Sequence, residues 1–518
     1  MRKLHHIGLL ITFVCLATGV AKAQSFQVQC PTNTITHPDL SNAGVNNSEP
    51  AYTGPTYMGN LQTYASNGAG HVNGAIKCQQ ISGGDGFAPM GDGTQTYMFS
   101  FGPLSGLANI AAGLPGTGFP FEFNTVPSVP LVPGDPATTG NTFNGAVGLA
   151  PETYTDPTTG NPITVMNGHV DPRPIMDVGV MNGNIPAPLM AIDEDDEFFL
   201  TLTNVGQVMR PDLFEQHTVH FHGYPNASAF YDGVPDASVA INIGGSFTYY
   251  YLAPDAGTYF WHCHITPPEH LQMGMVGQIY VRPRQNRVPS TTALLTALKA
   301  QQLDLRTKCN SSDILCSNSL PAVDTGAMGG GKYAYNDGDG TTAYDVEYPL
   351  QIHGFDPNFH FVGMTFNPEG FTDMKDKYFL LNGRSYPDTV TPGPIKTQTT
   401  DGSNHFSQPL PSIINIPAGG KALLRISDLD VTEYQTLASL GIPMKVIGIN
   451  AKLLRDQAGN NLYYNTNSIT LAGGESIDVI LDSAGIPAGT YYLYTSNLDH
   501  LSNDAENFGG LMTEVHVN

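Results

Sequence analysis

The stretch that decides the fold is Ala256-Gly257-Thr258-Tyr259-Phe260-Trp261-His262-Cys263-His264, followed shortly by Gly274-Met275. A related stretch lies near the carboxyl terminus: Ala488-Gly489-Thr490-Tyr491-Tyr492-Leu493-Tyr494-Thr495-Ser496-Asn497, followed by Gly510-Leu511-Met512. The two share a framework of turn, strand and loop, which predicts distant repeats of one β domain. Where the first has His-Cys-His, the second has Thr-Ser-Asn. We therefore expect the second copy to keep the fold and to lose any metal.

The rest of the chain agrees with an all-β protein. Its 518 residues are too many for one ordinary domain, and the 57 glycines and 39 prolines separate strand-like runs. Five regions are predicted: a signal peptide at 1–23, an irregular extension at 24–90, a metal-binding β domain at 91–285 with a long insertion, a linker at 286–345 containing a helix, and a second β domain at 346–518.

The amino terminus predicts export. Arg2 and Lys3 precede an apolar run and the small-x-small sequence Ala21-Lys22-Ala23, which is typical of a signal peptide. The apolar run is short for a membrane span, and no second such stretch follows. The mature protein is expected to be periplasmic or secreted. A formal net charge of −23 disfavours nucleic-acid and anionic membrane partners. The acidic run at 193–197 is interpreted as a solvated turn.

The six cysteines single out one thiol. Cys15 leaves with the signal peptide. In an oxidising compartment we expect Cys30 to pair with Cys78, and Cys309 to pair with Cys316. That leaves Cys263 alone, and metal ligation is a reason for an unpaired thiol in an exported protein.

Side-chain alternation divides the ligands of this thiol from a second set. Six of the 16 histidines lie near it in sequence or in the segment at 217–223. Neighbours in a strand point to opposite faces, so His262 and His264 share one face and Cys263 projects to the other. His220 and His222 likewise share a face. The thiol is then joined by His270 and Met275 from the following loop, and His217 is the natural fourth ligand.

This ligand set favours copper. Two imidazoles, a thiolate and a weak thioether form a blue-copper (type 1) electron-transfer centre. Zinc also binds His and Cys, but the methionine favours copper. The other face offers His220, His222, His262 and His264 for further copper. An electron that reaches Cys263 can pass through the backbone to His262 and His264, which makes these three residues the predicted catalytic group.

The same residues resemble the multicopper oxidases, the laccase-like family of cupredoxin proteins. The segments that carry the resemblance are His220-Phe221-His222-Gly223, Tyr231-Asp232-Gly233-Val234-Pro235 and Gly257 to His264 in the first domain, and more loosely Phe379 to Thr389 in the second. The resemblance implies two cupredoxin-like Greek-key β-sandwich domains. It also implies His220 as a type 2 copper ligand, with His222, His262 and His264 as type 3 ligands.

The pattern departs from that family in two ways. The family's trinuclear cluster takes eight histidines, and only one domain's worth is found; His353, His360, His405, His500 and His516 are scattered and interpreted as surface or loop residues. The longer loop between His264 and His270 resembles copper nitrite reductases instead.

Three hypotheses follow. The first is an oxidase that takes electrons from a small-molecule or metal-ion donor, reduces oxygen, and completes its second copper site as a homo-oligomer. The second is a nitrite-reductase-like enzyme whose type 2 site uses His353 or His360 of a neighbouring subunit. The third is a non-enzymatic electron carrier or copper-handling protein.

Overall fold

The computed structural model describes residues 28–34, 36–37, 49, 51–52, 54–55, 74–125, 144–149, 152–155, 159–165, 183–223, 229–253, 255–305, 319–365, 370–398 and 404–518. The predicted signal peptide, the predicted strand at 175–181 and the predicted Cys309–Cys316 disulfide lie outside these residues.

The regular secondary structure of the described residues is mainly β-strand, as predicted. The strands of the first half are β1 (Ile76–Pro89), β2 (Gln95–Pro103), β3 (Glu152–Thr155), β4 (Pro162–Val165), β5 (Met190–Asp193), β6 (Glu197–Gly206), β7 (His220–Phe221), β8 (Ser246–Leu252), β9 (Gly257–His262) and β10 (Val276–Arg282). The strands of the second half are β11 (Val346–Phe355), β12 (Tyr378–Leu381), β13 (Ile395–Gln398), β14 (Asn404–Ser407), β15 (Ile414–Ile416), β16 (Lys421–Asp428), β17 (Gln435–Leu440), β18 (Met444–Ile449), β19 (Lys452–Leu453), β20 (Tyr464–Thr466), β21 (Ser468–Leu471), β22 (Ser476–Asp482), β23 (Gly489–Tyr494) and β24 (Met512–Val517).

The helices are short. They are α1 (Leu107–Ala111), α2 (Pro120–Phe123), α3 (Pro267–Gln272), α4 (Leu294–Gln301) and α5 (Pro357–Thr365). The helix predicted in the linker is confirmed as α4. None of the helices in the described part of the chain has the length and apolarity needed to span a bilayer.

Two pairs of sheets make up the architecture. In the first sandwich the sheets have strand orders β2-β1-β6-β8 and β5-β10-β9-β7. In the second sandwich they have orders β12-β11-β16-β22-β18-β19, with β20 on β18, and β15-β24-β23-β17-β21. Each pair encloses its own apolar core; Trp261, Leu200 and Ile279 represent the first, and Leu424, Val479 and Leu493 the second. The prediction of an all-β protein built from two sandwiches is confirmed.

The extension expected to be irregular up to residue 90 contains a long strand, so that part of the prediction is wrong. Strand β1 pairs in parallel with β6 and antiparallel with β2, and it lies at the centre of its sheet. Its glycines hide the strand pattern in the sequence. Gly83 is required because the His217 ring packs on it: a Cβ there would lie 3.1 Å from the ring Cγ and closer still to Cδ2. The predicted Cys30–Cys78 disulfide anchors this strand and is confirmed.

The acidic run at 193–197 is buried rather than solvated, which corrects the interpretation made from the sequence. All five side chains are at most 7% exposed. Arg284 donates two 2.7 Å hydrogen bonds to the Asp195 carboxylate, and Arg287 lies 3.1 Å from the same group. A carboxylate buried between two guanidinium groups is compensated for its lost hydration. The partners are about 90 residues away in sequence, so no local pattern reveals them.

The two sandwiches share a buried polar junction. Thr258 on β9 donates a 2.6 Å hydrogen bond to Asp478 on β22, and Ser476 donates one of 2.6 Å to the Thr258 carbonyl. Glu347 on β11 bridges Arg282 of the first sandwich (2.6 Å) and Arg425 of the second (3.1 Å). Strand β9, which ends at His262 and is followed by Cys263, is therefore hydrogen-bonded both to its own sheet and to the second sandwich.

Candidate metal centres

Cys263 lies at the end of β9 with two imidazoles turned towards its sulfur. Its Sγ is 3.3 Å from His270 Nδ1 and 4.0 Å from His217 Nδ1, and all three side chains are fully buried. The Thr218 backbone N–H points at the sulfur from 3.4 Å. These three donor atoms lie within 4.8 Å of one another, so one ion can contact all of them.

The fourth predicted ligand, Met275, closes the loop around the cluster. Its N–H donates a 2.8 Å hydrogen bond to the His270 carbonyl, and its carbonyl accepts a 3.1 Å bond from the Cys263 N–H. Its side chain is completely buried. The short helix α3 carries His270 into place between Cys263 and Met275. A thiolate and two imidazole Nδ1 atoms fit a soft ion such as copper, and Met275 is buried in the same loop.

The electrostatics of this cluster favour a thiolate. Burial alone would raise the pKa of the Cys263 thiol, but His270 and His217 outweigh it and hold that pKa well below the usual range. Burial opposes the charged form of His270, yet Cys263 and Glu215 raise the pKa of His270 to about 9. For His217, burial prevails and lowers the pKa. The pocket is thus suited to an anionic sulfur facing positive charge, which is what a metal ion supplies.

The four remaining histidines meet on the other side of the strand. In the ladder between β7 and β9, His220 is directly opposite His262. The His222 and His262 Nε2 atoms are 2.9 Å apart, and the ring of His220 lies 5.0 Å from that of His264. Donor atoms of His220, His222 and His262 lie within 4.8 Å of one another. The structure therefore brings together all four predicted imidazoles, back to back with the thiolate cluster.

Neighbouring groups orient two of these rings. His220 Nδ1 is 2.6 Å from the Asp232 carbonyl, and His262 Nδ1 is 2.7 Å from the Cys263 carbonyl. Each ring therefore donates its Nδ1 proton to a carbonyl and keeps Nε2 available as a ligand. Gly233, at φ 81°, allows this approach, because a Cβ there would clash with the Val219 carbonyl. The sequence motif Asp232-Gly233 thus has a structural reason.

Burial keeps two of the four imidazoles, those of His222 and His262, neutral. Burial, and then the neighbouring His220 and His264, lower the pKa of His222 to about 4. Burial and His222 lower the pKa of His262 well below its usual range. Neutral imidazole is the form that ligates metals, so at neutral pH these two rings are ready to bind.

A cavity of about 530 Å³ separates the histidines from the second sandwich. His222, His262 and His264 line one side, and two segments of the second sandwich, 430–434 and 472–474, line the other. Gly474 is packed so closely against His222 that a Cβ would lie 3.0 Å from its Nδ1. No sequence pattern predicts this wall, because its residues are more than 150 positions away from the histidines.

His353 on β11 and His360 on α5 are buried in regular elements, so their interpretation as surface or loop residues is wrong; His500 lies in a loop, as that interpretation allows, but is also buried. His353, His360 and His500 are each 1% exposed. His360 is held between the carbonyls of Tyr97 (2.5 Å) and Gln272 (2.9 Å). Both ring nitrogens of His360 contact protein carbonyls, and His353 is buried on β11. These two histidines therefore do not serve as metal ligands for a neighbouring subunit. The side chain of His405 lies outside the described residues, and His516 is partly exposed beside Glu514.

Comparison with known proteins identifies the first sandwich. The chain carries a multicopper oxidase domain: residues 164–286 match the model of that family. A laccase of Aspergillus fumigatus is 34% identical over 109 residues, 21% of this chain and 17% of the relative. A multicopper oxidase of Mycobacterium tuberculosis is 34% identical over 92 residues, 18% of this chain and 17% of the relative. A copper-containing nitrite reductase of Rhizobium meliloti is 35% identical over 109 residues, 20% of this chain and 26% of the relative.

These matches describe one domain, because the chain spans between 17% and 26% of the length of those relatives. The family uses type 1, type 2 and type 3 copper. Among solved structures, a blue copper oxidase from Nitrosomonas europaea aligns with a TM-score of 0.47 and 16% identity, covering 85% of this chain and 85% of that one.

Proposed function

We propose that this protein is an exported copper-dependent oxidoreductase that takes single electrons from a donor near His270 and passes them to oxygen at the four-histidine face. One observation carries the proposal: a buried thiolate cluster and a group of four imidazoles lie back to back on a single strand end. Copper bound at these residues supplies one-electron redox chemistry. His217, Cys263, His270 and Met275 would hold the type 1 ion, and His220, His222, His262 and His264 the others.

The chain itself connects the two groups of ligands. Cys263 is adjacent in sequence to both His262 and His264, and the 2.7 Å contact from His262 Nδ1 to the Cys263 carbonyl adds a hydrogen-bonded connection. An electron that arrives at the sulfur therefore reaches the imidazole face through one residue of backbone. Burial of the sulfur excludes water from this route.

The donor side lies where His270 comes closest to the surface. His270 Nε2 is 3.4 Å from Glu215 Oε2, and the Glu215 side chain is 29% exposed. Phe214, next to it, is 80% exposed. A small organic molecule or a metal ion can approach the type 1 ligands here without opening the sandwich.

The four-histidine face needs further ligands to build the family's trinuclear cluster. In the described part of the chain, the cavity is lined by no histidine beyond those of the first sandwich. We propose that a second copy supplies the missing set in a homo-oligomer. Tyr434, which lies at the edge of the cavity and is 73% exposed, offers an apolar contact for that copy.

Metal analysis with optical and spin-resonance spectroscopy tests the proposal. The expected result is an intense blue absorption, more than one copper per chain, and oxygen uptake with a reducing donor in an assembly larger than a monomer. A single copper per chain without oxygen uptake would overturn the oxidase and leave an electron carrier or copper-handling protein.

The nitrite-reductase alternative keeps one supporting observation, the 35% identity to the Rhizobium meliloti enzyme over 109 residues. His353 and His360 do not complete its type 2 site, because both are buried inside their own chain. Nitrite turnover with a reduced mediator, measured beside oxygen uptake, distinguishes the two enzymes.

A further inference from the structure

We propose that Asp376 and Asp430 share a proton and supply it, through the Thr432 hydroxyl, to the cavity in front of the four histidines. The inference rests on the proposed oxygen reduction, since O₂ + 4 H⁺ + 4 e⁻ → 2 H₂O consumes a proton with each electron. The electrons come from the donor through Cys263, and the protons return to the two aspartates from solvent. We call Asp376 and Asp430 the carboxyl pair.

The carboxyl pair meets in a space left by Gly354 on β11. A Cβ on Gly354 would lie 2.7 Å from Asp430 Oδ2 and would clash with Asp376 Oδ2. The two carboxyl groups therefore point at the same spot, and both contact the Thr432 hydroxyl. Gly354 does not have a positive φ, so its backbone conformation does not require glycine. Glycine is needed here because any side chain would occupy the space of the two carboxyl groups.

Two carboxylates this close do not both ionise in a buried site. Asp376 is 5% exposed and Asp430 2% exposed. Burial, and then the charge of Asp430, raise the pKa of Asp376 well above its usual range. One shared proton is therefore assigned to the carboxyl pair.

Thr432 connects this proton to the cavity. Its Oγ1 contacts Asp376 Oδ2 and lies 2.9 Å from Asp430 Oδ1. The hydroxyl can accept the proton of the protonated carboxyl and release its own single hydrogen to an acceptor in the cavity. Thr432 and Asp430 both line the cavity that His222, His262 and His264 face. A proton can therefore move from the pair through the hydroxyl to this space.

The position of the carboxyl pair is fixed from the first sandwich as well. Gln272 Nε2 donates a 3.0 Å hydrogen bond to Asp376 Oδ1, and Gln272 lies on α3, the helix that carries His270. Asp430 Oδ2 accepts a 2.7 Å bond from Gln435 Nε2. The pair thus lies between the type 1 loop and the wall of the cavity.

Other titratable groups surround the pair: His353 and Asp356 from the β11 side, Asp428 at the end of β16, and Glu433 with His500 beside Thr432. Burial lowers the pKa of His353, so its ring is neutral, and burial followed by Asp430 raises the pKa of Asp428. Because His353 is neutral, it does not favour full ionisation of the pair.

Infrared spectroscopy of the metal-free protein tests the shared proton without any turnover. At neutral pH the wild type should show the C=O stretch of a buried protonated carboxyl that the Asp376→Asn variant lacks. The exposed Asp482→Asn variant serves as control and should keep the band. A spectrum that Asp376→Asn leaves unchanged, in a protein with native circular dichroism, overturns the shared proton.

Oxygen kinetics of the copper-loaded protein test the relay, and they remain decisive if Asp376→Asn fails to fold. Thr432→Val removes the hydroxyl and keeps the shape, and we expect oxygen uptake at neutral pH to fall about 100-fold, the range for loss of a proton donor. Anaerobic bleaching of the blue centre should proceed, Thr432→Ser should restore the rate, and Thr436→Val on β17 should behave as wild type.

The outcomes separate the two proposals. If the wild type takes up oxygen and Thr432→Val does so at the same rate with the same pH profile, the relay is wrong and the oxidase stands. If the wild type takes up no oxygen, both are wrong.

Discussion

The loops that follow β9 and β23 occupy corresponding places in the two sandwiches. Each strand pairs antiparallel with the next, with His262 opposite Val276 in the first and Tyr494 opposite Met512 in the second. The first loop buries a thiol with two imidazole nitrogens directed at it. The second has the buried Thr495 at the corresponding position, one residue before the Ser496 that the sequence comparison places opposite Cys263; the Thr495 N–H bonds to the Leu511 carbonyl as the Cys263 N–H bonds to the Met275 carbonyl. The second loop contains a single histidine, His500.

In the second loop, His500 has a structural role. Its ring stacks on Phe379 with centroids 3.7 Å apart, Nδ1 is 3.0 Å from Gln435 Oε1, and Nε2 is 2.8 Å from Asn497 Nδ2. Both nitrogens are occupied by protein groups. His270 instead turns Nδ1 to a sulfur. The same strand-and-loop framework can therefore form a metal site, when its donor atoms face one another, or a purely structural loop, when they bond to other protein groups.

The largest effect is expected from Cys263→Ser, which replaces the thiol with a hydroxyl, the group that Thr495 has at the corresponding position of the second loop. The thiolate is the ligand that produces the intense blue colour and receives the electron, so both colour and donor oxidation should be lost completely. Optical absorption and donor oxidation measure this. Thr495→Ser, a change at the matched position of the second loop, should leave both intact; a blue Cys263→Ser protein would contradict the assignment.

Removing a ligand on the other face should separate the two centres. His222→Ala is expected to keep the blue absorption and to lower copper affinity at the second centre by more than about 100-fold, the upper range for loss of an outer-shell partner alone. Oxygen uptake should fall with it. Copper content and absorbance measured on one sample check this, and parallel loss of both would show that the two centres do not bind independently.

Weakening the junction tests how far the second sandwich supports the first. Burial opposes the Glu347 charge, but Arg425 and Arg282 outweigh it and lower the pKa of Glu347 to about 2. A lowered carboxyl pKa stabilises the fold above the unfolded value near 4.5 and loses this contribution as pH falls through about 2. The shift corresponds to about 3 kcal/mol at neutral pH.

Glu347→Gln should therefore lower the free energy of unfolding by about 3 kcal/mol at neutral pH and remove this part of the acid sensitivity. Denaturant unfolding between pH 7 and pH 2 measures both. The exposed Glu506→Gln is the control, and an unchanged acid profile in Glu347→Gln would count against the ion-pair explanation.

The smallest effect should come from the second loop itself. His500→Ala removes two hydrogen bonds and a ring stack, so we expect a loss of about 2 kcal/mol in stability with no change in colour. Thermal unfolding and absorption check this. His516→Ala, at the partly exposed end of the same sandwich, should change stability by less than about 0.5 kcal/mol. Loss of copper from His500→Ala would mean that the second loop is not merely structural.

Local geometry explains what the sequence could predict. Alternation along one strand correctly separates the sides of Cys263 from those of His262 and His264, because it depends only on neighbouring residues. The all-β class and the Cys30–Cys78 disulfide follow from composition and pairing rules. None of these predictions requires knowledge of contacts between residues that are distant in sequence.

Long-range contacts explain the features that the sequence could not predict. Strand β1 looks irregular because Gly83 is selected by the His217 ring and not by strand propensity. Asp195 is buried because Arg284 compensates it from the far end of the domain. Thr432 and Asp430 join the cavity only after the second sandwich docks, and a one-dimensional pattern contains no trace of that approach.

The origin of the cavity from two distant parts of the chain has a consequence for how the protein acquires its ions. Every histidine on the cavity precedes residue 265, whereas the opposing wall is built from residues after 429. During synthesis the ligands therefore exist as an open cleft before their cover does. Ions that arrive early meet an exposed surface, while those that arrive late must enter past Tyr434, so loading should be faster during refolding than in the finished protein.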